Sequence, residues 1–235
     1  MVLKLFLTFI LLSLVVFASS FPMSVKTEKV FAVNLKCVIK PARRDEFMSV
    51  IKKDQTLTLE TEPNALQFVV GEDTTSPNTF HLHEEYIGEE GFNEHLATSH
   101  FAEWEDFVKS EPFTEDPTIE IYYGTHIPEK VPPRKAFCLN VKICVQEDKR
   151  DEFLKVIENN AKGSINEESL CLQYVYGESK DEKNTFFFHE QYDGAEDGKE
   201  GFDAHASTPH FKVWEDFAAN EPFTSTPIVS FYRPL

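Results

Sequence analysis

Basic residues are scarce in this chain. Of 235 residues, 23 are Lys or Arg and 40 are Asp or Glu, a formal charge of −17, with a pI near 4.9. Nucleic acids and anionic membranes are recognised through basic patches, so this balance argues against both as partners. Cysteine is also sparse. The four residues, Cys37, Cys138, Cys144 and Cys171, are too few and too irregularly placed for a disulfide framework. Long apolar runs are absent after the first twenty residues, so nothing in the remainder reads as a bilayer span.

The first residues have their own character. Lys4 precedes an apolar run from Leu5 to Phe17, broken only by Thr8 and Ser13, and Ala18-Ser19-Ser20 supplies small residues at cleavage spacing. Residues 1–20 read as a signal peptide cut before Phe21, in preference to a membrane anchor, for which the run is short. The expected location is the secretory route, either secreted or in an endomembrane lumen. The junction Ala18-Ser19-Ser20-Phe21-Pro22 also resembles the Ser-Ala-Phe-Pro type found in algae that import plastid proteins through endomembranes. A plastid is therefore the alternative.

The rest of the chain says one thing twice. Asn78-Thr79-Phe80-His81-Leu82-His83-Glu84-Glu85-Tyr86 returns as Asn184-Thr185-Phe186-Phe187-Phe188-His189-Glu190-Gln191-Tyr192. The block from His95 to Phe107 returns from His205 to Phe217. The cysteines have no cysteine at their equivalents (Ile143, Ala32, Val38 and Ala65), whereas a duplicated fold that relied on bridges would have kept them in pairs; a single incidental bridge stays open. Two domains follow, 29–126 and 137–235, joined by a Pro-rich linker at 127–136. Copy two carries four extra residues near Ala195 to Gly198, between a strand-like and a helix-like run, where insertions are tolerated.

Within each copy the periodicity predicts one order of elements. A strand at Phe31–Ile39 ends at Pro41, and a helix begins at Arg44 with Phe47, Val50 and Ile51 on one side. Strands near 65–70 and 79–86 form a hairpin around a polar turn. A short helical turn at 91–96 precedes a main helix. The Thr208-Pro209 pair marks its start in copy two, with Thr98-Ser99 in copy one. A last strand covers 118–122 and 228–232. Strand-helix-strand-strand-helix-strand is a ferredoxin-like α+β unit, with an antiparallel four-stranded sheet and both helices on one face. A lone unit would expose a broad apolar sheet face. Two units packed sheet to sheet make an intramolecular pseudo-dimer, an α+β barrel with a hollow under each helix layer.

Some polar residues return in both copies at positions where a core would favour apolar ones. Asn34 and Asn140 lie mid-strand, as a structural hydrogen bond or as an anchor in a pocket. Glu84 and Glu190 lie late in the third strand. His95 and His205, with His100 and His210, flank the start of the second main helix. Five-residue spacing is not a metal signature, so no metal is expected. A neutral imidazole near a helix N-terminus suits a proton acceptor. Trp104 and Trp214 read as core or as ligand platform, Tyr86 and Tyr192 as either.

The pattern Phe-x-x-x-Glu-x-Tyr followed by His-x-x-Thr-x-His-Phe spans Phe80 to Tyr86 with His95 to Phe101, and Phe186 to Tyr192 with His205 to Phe211. It resembles the antibiotic biosynthesis monooxygenase (ABM) family of dimeric α+β barrels, and more narrowly its small quinol-monooxygenase and autoinducer-processing members. The resemblance implies a pocket in each half and cofactor-independent oxygenation of an electron-rich aromatic or quinol, with O2 as co-substrate. It makes His95, His100, His205 and His210 the base candidates. Asn34, Glu84, Tyr86 and Trp104, with Asn140, Glu190, Tyr192 and Trp214, would bind substrate. Haem-degrading relatives carry a Trp on the third strand, whereas Trp104 and Trp214 lie on the second main helix, so haem is not expected. The alternatives on this scaffold are a non-catalytic small-molecule-binding or stress-response protein, and an isomerase of a small hydroxyketone.

Overall fold

The computed structural model describes residues 29–125 and 134–235. The expected leader 1–20 and linker residues 127–133 fall outside them. The first half runs β1 (Val30–Val38), α1 (Arg44–Thr61), β2 (Ala65–Asp73), β3 (Thr79–Ile87), α2 (Gly88–Leu96), α3 (Ser99–Lys109) and β4 (Thr118–Gly124). The second repeats the order as β5 (Phe137–Cys144), α4 (Arg150–Glu167), β6 (Cys171–Glu178), β7 (Thr185–Tyr192), α5 (Lys199–His205), α6 (Pro209–Ala218) and β8 (Ile228–Pro234). Among the described residues no helix is long and apolar enough to cross a membrane. The four cysteines are free thiols.

Local chemistry explains the element ends. Thr98 and Thr208 cap α3 and α6, each accepting the backbone N–H of the residue three further on at 3.2 Å. Arg44 and Arg150, at the first turns of α1 and α4, each make a two-pronged ion pair, with Glu72 and Glu178 respectively. They also reach the hairpin residues Asn78 and Asn184. Those two Asn adopt φ of 62° and 63°, a left-handed turn that Asn tolerates. The tie fixes each first helix against its own β-hairpin.

Each helix layer buries an apolar core on its sheet. Phe47 and Ile51 of α1 meet Phe68, Phe80 and Leu82 below and Phe101, Trp104 and Phe107 of α3 beside them. Phe153 and Ile157 do the same in the second half, against Tyr174, Phe186, Phe188 and Phe217. Fully burying such side chains contributes about 1.5–3 kcal/mol each. Much of the stability therefore lies between helices and sheet.

All eight strands join in one antiparallel sheet, ordered β4-β1-β3-β2-β8-β5-β7-β6. Within a half, β1 pairs β3 and β4, and β2 pairs β3. The halves meet where β8 pairs β2 through Gly71↔Pro234, Glu72↔Arg233 and Asp73↔Tyr232. The second seam brings β4 to the end of β6 by a Tyr122↔Ser179 bridge. Lys180 N–H donates there to Ile121 O at 2.9 Å, and Thr125 N–H to Tyr176 O at 3.0 Å. Each last strand thus crosses onto the other half. The expected pseudo-dimeric barrel is what the chain forms.

The face hidden inside the barrel differs from the expected apolar one. It carries Asn34, His83, Glu85, Asn140, Gln173, His189 and Gln191 beside Val69, Tyr122, Val175, Phe187 and Tyr232, all buried. Polar side chains are stable there because the other half completes their hydrogen bonds. Asn34 Nδ2 donates to Phe188 O at 3.1 Å, and Asn140 Nδ2 to Leu82 O at 3.2 Å. The His83 and His189 rings stack at 3.7 Å with 9° between their planes.

Candidate functional site

Strand alternation sends odd and even residues of β1 and β3 to opposite faces. Glu84 and Tyr86 point under the helices, whereas Asn34 points into the barrel. Asn34 Oδ1 accepts from His83 Nδ1 at 2.8 Å, and Asn140 Oδ1 pairs with His189 Nδ1 at 2.9 Å. Neither Asn joins the helix-side pocket, so their place as substrate anchors is corrected to that of ties between the two halves. The cause is register: one residue's difference along a strand separates the two faces.

The four predicted histidines converge in pairs, each pair on a carboxylate the sequence had not singled out. Glu62 follows the last residue of α1. Its Oε1 accepts from His95 Nδ1 at 2.9 Å and from His100 Nε2 at 2.6 Å. Glu168, after α4, repeats this with His205 Nδ1 at 2.8 Å and His210 Nε2 at 2.5 Å. Thr58 and Ser164 hydroxyls lie 3.3 Å from His95 and His205 Nδ1. Burial would raise the Glu62 and Glu168 carboxyls, but hydrogen bonds from the histidines prevail and hold both below the usual range. Burial also opposes a charge on His95, yet the Glu62 bond and the nearby Glu84 and Asp54 raise its pKa.

A second carboxylate in each half faces the same space. Tyr86 OH donates to Glu84 Oε2 and Tyr192 OH to Glu190 Oε2, both at 2.7 Å. Burial raises the pKa of Glu84 and Glu190, and raises Tyr86 and Tyr192 well above the ordinary phenol value. The His95 ring lies 5.4 Å from that of Tyr86, and His205 5.3 Å from Tyr192.

The halves diverge around this shared frame. In the second half a cavity of about 160 Å³ opens beneath α4 and α6. Its walls are mainly apolar, including Leu139, Val141, Phe188, Phe211, Trp214 and Phe231, with Glu190, His205, Asn160 and Tyr174 as the polar members. Asn160 Nδ2 donates to Tyr174 OH at 3.0 Å. Asn160 Oδ1 is buried without a hydrogen-bond partner. In the first half Trp104 and Phe101 are 4% and 5% exposed and pack in the core. There Asp54 replaces Asn160 and Phe68 replaces Tyr174. Asp54 is 3% exposed and its Oδ1 has no hydrogen-bond partner. Burial pushes its carboxyl up to about 7.

Glu62, Glu168, Asp54 and Asn160 escaped the sequence reading. A signal was present for the last two. They fall on the buried stripe of α1 (Phe47, Ile51, Asp54, Thr58) and of α4 (Phe153, Ile157, Asn160, Ser164), where helical spacing calls for apolar residues.

Comparison with known proteins gives the fold a context. A "putative monooxygenase" of Fusobacterium nucleatum subsp. nucleatum ATCC 25586 superposes with a TM-score of 0.77 at 15% identity, covering 89% of this chain and 94% of that one. Another, of Lactobacillus acidophilus NCFM, gives 0.73 at 18% identity, covering 88% and 94%. An anthrone oxidase-like protein gives 0.60 at 11%, covering 91% and 94%. At these identities the likeness speaks for the fold alone. No curated protein matches the sequence. The family described as Antibiotic biosynthesis monooxygenase matches residues 30–106 and again 136–216, more than half of the chain. On that double match, the chain belongs to the antibiotic biosynthesis monooxygenase family.

Proposed function

We propose that the C-terminal half is a cofactor-independent monooxygenase for a single-ring quinol. The observation that carries this reading is the cavity beneath α4 and α6. Its volume, about 160 Å³, is close to the roughly 150 Å³ of an apolar cavity that holds benzene. Its aromatic walls suit a ring, and the unpartnered Asn160 Oδ1 suits a phenolic O–H.

The chemistry begins with a proton. Glu168 holds a proton on His205 Nδ1, which leaves Nε2 as the ring's accepting nitrogen. His205 takes the phenolic proton, and the ionised carboxylate of Glu168 stabilises the imidazolium that results, as in other His–carboxylate pairs. The quinol anion then reduces O2. One oxygen atom enters the ring and the other leaves as water. Four electrons pass from the quinol to O2, and the product is a hydroxyquinone. Asn160 and Tyr174 orient the ring, and the apolar walls keep water from the anion.

Oxygen uptake with a panel of monocyclic quinols tests this. Uptake above autoxidation is expected, and His205→Gln is expected to lower it by about 10²–10⁴-fold. No uptake with any quinol, or undiminished uptake in the variant, refutes the proposal. Binding without turnover would favour the non-catalytic alternative.

A further inference from the structure

We propose that the N-terminal half binds one divalent first-row transition-metal ion through Asp54, Glu62, His95 and His100. The site would be distinct from the substrate cavity and does not rest on the oxygenase reading. Three segments bring the donors together. Asp54 comes from the middle of α1 and Glu62 from its C-terminal end. His95 comes from the last turn of α2 and His100 from the first turn of α3. All four are at least nine-tenths buried, at 3%, 8%, 1% and 6% exposure. Both imidazoles aim an N–H at Glu62 Oε1, 2.9 and 2.6 Å away, and a bound ion would take the place of those two protons, which binding releases. One donor atom each from Asp54, His95 and His100 lies within 4.8 Å of the others.

The second observation is Asp54 itself. Its Oδ1 is buried and has no hydrogen-bond partner. An unpaired buried carboxylate oxygen is costly, and a cation relieves it. In the second half Glu168, His205 and His210 also bring donor atoms within 4.8 Å of one another, but the position equivalent to Asp54 carries no carboxylate. There Asn160, a poor ligand, donates to the Tyr174 hydroxyl. In the first half both members change, to a carboxylate and to Phe68, which has no hydroxyl. The paired exchange turns a hydrogen-bonded amide into a carboxyl whose Oδ1 has no hydrogen-bond partner, beside two imidazoles. Glu84 is not needed as a ligand, since Tyr86 OH already donates to it.

Two imidazoles and two carboxylates select the metal class. Such a set suits Zn²⁺, Fe²⁺, Mn²⁺ or Co²⁺, whereas Mg²⁺ and Ca²⁺ prefer all-oxygen surroundings. Two carboxylate charges balance one divalent ion.

The test titrates the chelator-stripped full chain with Co²⁺ and follows the visible bands of the bound ion, with Zn²⁺ competition. One ion per chain is expected. Asp54→Asn, which installs the second half's residue at near-constant shape, is expected to weaken binding at least tenfold. His205→Gln is expected to leave it unchanged. Thermal unfolding gives an independent readout. Zn²⁺ should raise the Tm of the wild type and have a smaller effect on Asp54→Asn. No stoichiometric binding, wild-type affinity in Asp54→Asn, two ions per chain, or loss of binding in His205→Gln would each overturn the inference.

Discussion

A single methyl group at a barrel seam should measure how firmly the two halves are closed. Gly177 lies on β6 where β4 crosses it. A Cβ placed there would fall 2.8 Å from the carbonyl carbon of Tyr123 and 2.9 Å from Tyr122 Cδ2, with the Tyr123 carbonyl oxygen closer still. Backbone cannot rotate away as a side chain can, so Gly177→Ala has to push β4 off β6. Overpacking of this kind costs about 1–3 kcal/mol. The two flanking hydrogen bonds, Thr125 N to Tyr176 O and Lys180 N to Ile121 O, contribute about 1 kcal/mol each. The lower entropy of an unfolded chain with Ala offsets about 0.4–1 kcal/mol. The net expectation is a loss of about 2–4 kcal/mol, which moves the urea midpoint down by about 1–2 M for an m-value near 2 kcal/mol/M. Gly88→Ala is the control. Its φ is +65° with nothing within 4 Å of the new methyl, so only backbone strain of about 1 kcal/mol is expected. Circular dichroism in urea reads both variants. If Gly177→Ala unfolds within about 0.3 M of the wild type, closure of the barrel through this seam is not what the chain relies on.

Two further outcomes follow from other sites. Burial raises the Glu120 carboxyl to about 7, from an ordinary value of 4.5. Its stabilising contribution is therefore complete below about pH 4.5 and is lost as pH rises through 7. Glu120→Gln should add about 1–3 kcal/mol at pH 8 and almost nothing at pH 4, a contrast that urea melts at the two pH values would expose. Asn34→Ala removes the cross-half bond to Phe188 O and the acceptor facing His83. A loss of about 2–3 kcal/mol is expected with the quinol KM unchanged, because Asn34 lies on the barrel side of the sheet; a KM rise of tenfold or more would return it to the pocket.

The duplication, the order of elements, the helix caps at Thr98 and Thr208 and the recurring histidines were all legible in the sequence. Each depends on near neighbours along the chain, on strand and helix periodicities, or on two copies that read as an alignment. Tertiary structure alone decided the rest. Alternation places Asn34 and Glu84 on opposite faces but does not say which face meets the helices, and only packing sent the Asn into the barrel. Glu62 sits 33 residues from His95 and 38 from His100, and Asp54 lies further back on the same helix. Their meeting depends on how α1, α2 and α3 lie across one sheet. The exchange of Asn160 and Tyr174 for Asp54 and Phe68 is readable in the sequence, but that the two positions are partners exists only once a helix rests on a strand.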